Sequence, residues 1–106
     1  MPASEHAAQR LLDQQGHALE AGSQLLKALA NAKRLQILCL LAQQELSVTQ
    51  INNELALSQS ALSQHLALLR RDGLVTTRRE SQTIYYSLQS ESARAVITAL
   101  AQHFAA

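Results

Sequence analysis

The sequence predicts a mainly α fold carrying one small β-hairpin, in the order α-α-α-α-β-β-α. Three observations carry this prediction. Leu and Ala are plentiful while Phe, Tyr and Trp together supply 3% of the 106 residues, which favours helices packed through aliphatic side chains over a β-sandwich. Apolar residues recur at helical spacing through most of the chain, and residues 74–88 are instead rich in Val, Thr, Ile and Tyr. With 47% hydrophobic and 16% charged residues the chain is too apolar for disorder, and its length suits a single domain over 1–106.

Residues 4–30 repeat Ala7, Ala8, Leu11, Leu12, Leu19, Leu25, Leu26 and Leu29 in a helical pattern weakened by Gly16 and Gly22, giving one bent helix or two. Asn31 is placed to cap the next helix, whose inner stripe is Leu35, Leu38, Cys39 and Ala42, widened by Ile37 and Leu41. Ser47-Val-Thr-Gln50 has the form of a capping box, opening a short helix that ends near Leu55. Ser58 then caps a helix reaching Arg71. So short a connection makes the pair cross steeply as a helix-turn-helix over 47–71, and Gly73 stops the second member. Leu74–Arg79 and Gln82–Leu88 flank Glu80-Ser81 as a hairpin. Ser90 caps a last helix, 90–105, striped by Ala93, Val96, Ile97, Leu100, Ala101 and Phe104.

On a helical wheel, residues 58–71 turn Leu62, Leu66 and Leu69 inward and Ser60, Gln64, Ala67 and Arg71 outward, with Ser63 on the flank and Gln59 and His65 beside them. The outer face is uncharged over two turns and rich in donors and acceptors, which suits reading base edges in a major groove. The net charge of the chain is only +1, yet Arg70, Arg71, Arg78 and Arg79 lie within 58–79 against a single acid, Asp72. A polar helix followed by an arginine-tipped hairpin separates base recognition from phosphate contact, making the hairpin, 74–88, a wing. Lys33 and Arg34 are further candidates for phosphate contact. A polar helix face alone is often no more than solvated surface; the joint pattern is what points to nucleic acid.

The runs Leu26–Leu38, Leu57–Leu66, Leu69–Val75 and Gln82–Leu88, above all Ser-Gln-Ser-Ala-Leu-Ser-Gln-His at 58–65, resemble the ArsR family of winged-helix transcriptional regulators over about residues 19–104. Within it the NolR/HlyU branch is the most similar. The resemblance implies a homodimer built through the first and last helices (4–30 and 90–105) that binds the palindromic operator of double-stranded DNA. It implies DNA contacts by Gln59, Ser60, Ser63, Gln64 and His65, and by Arg78, Arg79 and Gln82 at the wing, with Arg71 on the outer helix face. For the dimer interface it points to Leu11, Leu12, Leu19, Val96, Ile97, Leu100 and Phe104, which carry the apolar stripes such an interface needs. Occupying operator DNA acts most simply as repression, by blocking polymerase; activation by displacing another repressor is the alternative, because occupancy alone does not fix the sign of regulation.

Neither common ligand set of metal-sensing relatives has a counterpart, so no metal and no cofactor is expected. Leu46-Ser47-Val48-Thr49 stands where thiolates would, and of the last-helix ligands only His103 remains. On a continuous helix His6 and His17 would share a side but lie roughly 16 Å apart, too far for one ion. Cys39 has two readings, a small buried hydrophobe or a thiol sensing redox or sulfur chemistry through sulfenic acid or persulfide. No nucleophile elbow, Gly-rich phosphate loop or paired carboxylates support an enzyme, and a winged-helix protein-interaction module is the competing class. A single cysteine, no signal segment and no apolar run near the roughly 20 residues of a membrane span indicate the cytoplasm and no membrane partner.

Overall fold

In the computed structural model, which describes residues 3–13 and 15–106, the helices are α1 (Ala3–Asp13), α2 (His17–Leu29), α3 (Ala32–Gln43), α4 (Val48–Leu55), α5 (Gln59–Arg71) and α6 (Glu91–Phe104). The strands are β1 (Leu46–Ser47), β2 (Val75–Glu80) and β3 (Thr83–Leu88), in one antiparallel sheet of order β1-β3-β2. Short polar side chains set the starts of α3, α4, α5 and α6, because the first-turn N–H groups otherwise lack acceptors. Asn31 Oδ1 accepts from the Arg34 N–H at 3.0 Å, Ser58 Oγ from Ala61 at 3.1 Å and Ser90 Oγ from Ala93 at 3.0 Å. Ser47 and Gln50 close the reciprocal box, at 3.2 and 2.8 Å.

The end of α5 is equally local in origin. Gly73 adopts φ +75°, its N–H donates to Arg70 O at 3.1 Å, and the Leu74 N–H donates to Leu69 O at 2.9 Å. This is a Schellman closure, and the two residues it brings together, Leu69 and Leu74, are both buried. Leu62, Leu66 and Leu69 join Ile37, Leu38, Ile51 and Leu55 in the core, so the inner side of α5 is the predicted one.

Of the two readings of the amino-terminal pattern, two helices is the one observed: Gln15 (φ 53°) and Gly16 (φ 85°) take left-handed conformations that α-helix cannot contain, while Gly22 stays inside α2. His6 and His17 therefore sit on separate helices, and the spacing along one continuous helix does not apply. Three features differ from the sequence prediction. The inner residues of α3 are Ile37, Leu38 and Leu41, with Cys39 only half-buried at their flank. The hairpin turn is Ser81-Gln82 rather than Glu80-Ser81, since Glu80 pairs with Thr83 and Ser81 carries the positive φ. The wing also has a third strand: Leu46 and Ser47 pair with Tyr86 and Tyr85. Two residues are too few to show alternation, so the sequence holds no periodic sign of β1.

The helix-turn-helix corner rests on Asn52. Its carbonyl accepts from the Ala56 N–H at 2.8 Å and its side-chain Oδ1 from the Leu57 N–H at 2.9 Å, holding Ala56 at φ 54°. Those bonds turn the chain from α4 into α5 within three residues.

Candidate nucleic-acid interface

Burial of Leu62, Leu66 and Leu69 fixes the rotation of α5, because each fully buried leucine is worth about 1.5–3 kcal/mol over its exposed state. Gln59, Ser60, Ser63, Gln64 and Arg71 are consequently exposed, and His65 is half-buried at the edge of the same face. Ser63, Ala67, Arg70 and Arg71 of α5 line a shallow cleft together with Val48 and Tyr86. The outer face of the helix thus continues into one face of the wing.

Strand alternation decides which wing residues share that face. Along β2, Val75, Thr77 and Arg79 lie on the side of Tyr86 and Ile84, whereas Thr76, Arg78 and Glu80 lie on the side of Tyr85 and Ser87. Arg79 therefore belongs to the face that meets α5, and Arg78 to the opposite one. Gln82 is exposed in the turn.

The four arginines of this segment are not equivalent. Arg78 is not the free cation expected at the wing: its guanidinium lies 2.7 Å from Glu45 and 2.8 Å from Glu80, and 4.5 Å above the centre of the Tyr85 ring. The hydrogen bonds from Arg78, aided by the Ser87 hydroxyl, hold the Glu45 carboxyl below the usual carboxylate range. Arg71 pairs with Asp72 at 3.1 Å and keeps most of its side chain in water. Arg70 and Arg79 have no ion-pair partner among the described residues. Arg34 is also engaged: it donates to Ala28 O at 2.7 Å and Lys27 O at 3.2 Å, capping the last turn of α2, while Lys33 is exposed.

Apolar surface gathers elsewhere, on α1, α2 and the end of α6. Leu11, Leu12, Leu19 and Phe104 are exposed, Phe104 at 84%, while Val96 and Ile97 are half-buried against the core and Leu100 is half-buried. Leu26, 59% exposed, joins this set; its place in the helical pattern of residues 4–30 was the only sign of it in the sequence. Arg70 and Glu45 are the polar residues that the sequence did not single out individually. Arg70 was visible in the charge cluster, but Glu45 lies 33 residues from the arginine it holds.

Cys39 is half-buried beside the core, and burial pushes its thiol up, away from the thiolate that oxidation requires. No group of three or more His, Cys, Asp or Glu side chains is placed to hold a metal ion among the described residues. Likewise, no described helix is long and apolar enough to cross a membrane.

Residues 31–77 match the family described as bacterial regulatory protein, arsR family. That span runs from the cap of α3 through the helix-turn-helix into β2. The chain is 62% identical over 76 residues to the transcriptional activator HlyU of Vibrio cholerae, covering 72% of this chain and 70% of that protein. It is 45% identical over 96 residues to the nodulation protein NolR of Rhizobium meliloti, covering 91% and 79%. Among solved structures, it is similar to the homodimeric winged helix-turn-helix DNA-binding domain of a Mycobacterium bovis protein, a possible ArsR-family transcriptional regulator. There the TM-score is 0.71 and the identity 38%, over 85% of this chain and 86% of that one. With a capped helix-turn-helix, a wing that continues its polar face and these relatives, the chain belongs to the arsR family of bacterial regulatory proteins, winged-helix DNA-binding regulators of transcription.

Proposed function

We propose that the chain acts as a homodimeric repressor that occupies an imperfect palindrome and blocks transcription from it. Gln59, Ser60, Ser63, Gln64 and His65 read base edges from α5, while Arg71, Arg79 and Gln82 hold phosphates on either side. The observation that carries this reading is the continuity of the exposed α5 face with the Tyr86 and Arg79 side of the wing. Such a surface presents uncharged hydrogen-bonding groups at its centre and cations at its edges, the division of labour that duplex recognition requires. The dimer is supported by the exposed leucines of α1 and α2 and by Phe104, and by the homodimeric state named for a similar solved domain. Two copies related by a two-fold axis would place two α5 helices on successive turns of one groove.

Binding measurements on two variants test this. Gln64→Ala is expected to cost about 1–3 kcal/mol on the preferred sequence and little on random duplex. Arg79→Ala is expected to weaken both duplexes alike and to flatten the salt dependence by roughly one counterion. Equal losses on both duplexes for both variants would contradict the assignment, and no salt-sensitive duplex binding at all would favour a protein partner.

A further inference from the structure

From the cross-sheet bonds we infer that Arg78 is a positioning residue for DNA binding: it braces the outer face of the wing so that Arg79 is aimed at the duplex, and Glu45 is its anchor. The inference rests on the proposed DNA-binding surface, and it assigns Arg78 a different role from phosphate contact.

The geometry is that of a brace. β2 and β1 flank β3 on its two sides. Arg78 leaves β2, passes over the ring of its cross-strand partner Tyr85 on β3, and reaches Glu45, which immediately precedes β1. There the guanidinium meets the carboxylate side-on, along one edge: Nε lies 2.9 Å from both Glu45 oxygens and a terminal nitrogen lies 2.7 Å from one of them. Ser87 Oγ donates to the same carboxylate at 3.2 Å, and the other terminal nitrogen of Arg78 holds Glu80 at 2.8 Å, next to the turn. One side chain thus links both outer strands and the tip across the middle strand.

An isolated surface ion pair is worth little, because side-chain entropy and water offset its attraction. Here the forked contact, the second carboxylate and the ring beneath the guanidinium restrict Arg78 together. Committed to two carboxylates, it has no spare charge for a phosphate. Its immediate neighbour Arg79 projects from the opposite face of the same strand, so whatever sets the twist of β2 at residue 78 sets the direction of Arg79.

The signs of the expected effects separate a brace from a phosphate contact. Removing an acid near a polyanion ordinarily tightens binding, yet Glu45→Gln is expected to weaken it about threefold, a change on the scale of a well-formed exposed ion pair. Arg78→Gln should weaken binding by a similar factor in the wild-type protein and not at all in an Arg79→Gln background, since its effect passes through Arg79. Arg78→Lys, which keeps the charge and one contact, should recover part of the loss. The probes are the full chain with a duplex recovered by selection from random DNA and a scrambled duplex. Tighter binding by Glu45→Gln, or fully additive losses from Arg78→Gln and Arg79→Gln, would overturn the brace. Hydrogen exchange without DNA gives a second readout: wing amides should exchange about threefold faster in both Arg78→Gln and Glu45→Gln. Unchanged exchange would overturn the brace, whereas wild-type protein that binds neither duplex would sink the DNA reading and leave the exchange result to judge Arg78.

Discussion

At the scale of single residues, the chain states its helix boundaries plainly and its strained corners only in part. Asn31, Ser47, Ser58 and Ser90 were legible as caps because short polar side chains satisfy orphan N–H groups at fixed spacing. Gly73 was legible because a left-handed residue ends many helices and glycine adopts that conformation freely. Ala56 was not: it takes the same region at φ 54° without being glycine, held there by Asn52, and nothing about an alanine announces it. Opposite outcomes follow from the two positions. Gly73→Ala should lower stability by about 1–2 kcal/mol through backbone conformation alone, since an added Cβ would meet no atom within 4 Å. Ala56→Gly should raise stability or leave it unchanged, the relief of the left-handed penalty being offset by the greater freedom of unfolded glycine. Denaturant unfolding checks both, and a destabilised Ala56→Gly together with a neutral Gly73→Ala would contradict this account of the corners.

At the scale of elements, α5 was readable in full from its wheel, because its leucines recur at 3.6-residue spacing and the core has room for one face only. The wing was readable as a hairpin, but its turn came out one residue late and β1 escaped notice. A two-residue strand has no periodicity, and Glu45, which ties β1 to β2, is remote in sequence from its partner. The Arg78 to Glu45 tie makes the wing sensitive to acid. With its pKa lowered in the folded state by the Arg78 hydrogen bonds, Glu45 contributes stability that is present above the ordinary carboxylate range and is lost as pH falls through the lowered value. Carbon-detected titration of the Glu45 carboxyl should show its midpoint below the ordinary carboxylate value, returning to that value in Arg78→Gln. A midpoint that Arg78→Gln leaves unmoved would remove Arg78 as the cause.

At the scale of the whole molecule, the chain is more drawn out than a lone globule of its length. Its radius of gyration is 15.7 Å, against the ~13 Å usual for a compact domain of this size, and it extends over 52 × 33 × 22 Å. None of the residues of α1 is buried, and Leu11, Leu12 and, at the end of α6, Phe104 are apolar side chains that the chain's own core does not cover. Amphipathic spacing made those side chains visible in the sequence, yet a wheel cannot say whether a stripe meets its own core or another copy, so Val96 and Phe104 looked alike until burial separated them. Because Leu12 and Phe104 are exposed, at 60% and 84%, replacing both by Glu should leave folding intact while halving the sedimenting mass. A dimer that survives both changes would move the contact to another surface.

In vitro selection of duplexes from random DNA by the purified full chain puts operator recognition itself to the test, since the recovered sites report affinity, sequence preference and symmetry together. Enrichment is expected of an imperfect palindrome whose half-site centres lie roughly 10 bp or a multiple of it apart, bound with steep salt dependence. Recovery of no preferred sequence, or of single unpaired half-sites only, would rule out recognition of a palindrome by a dimer.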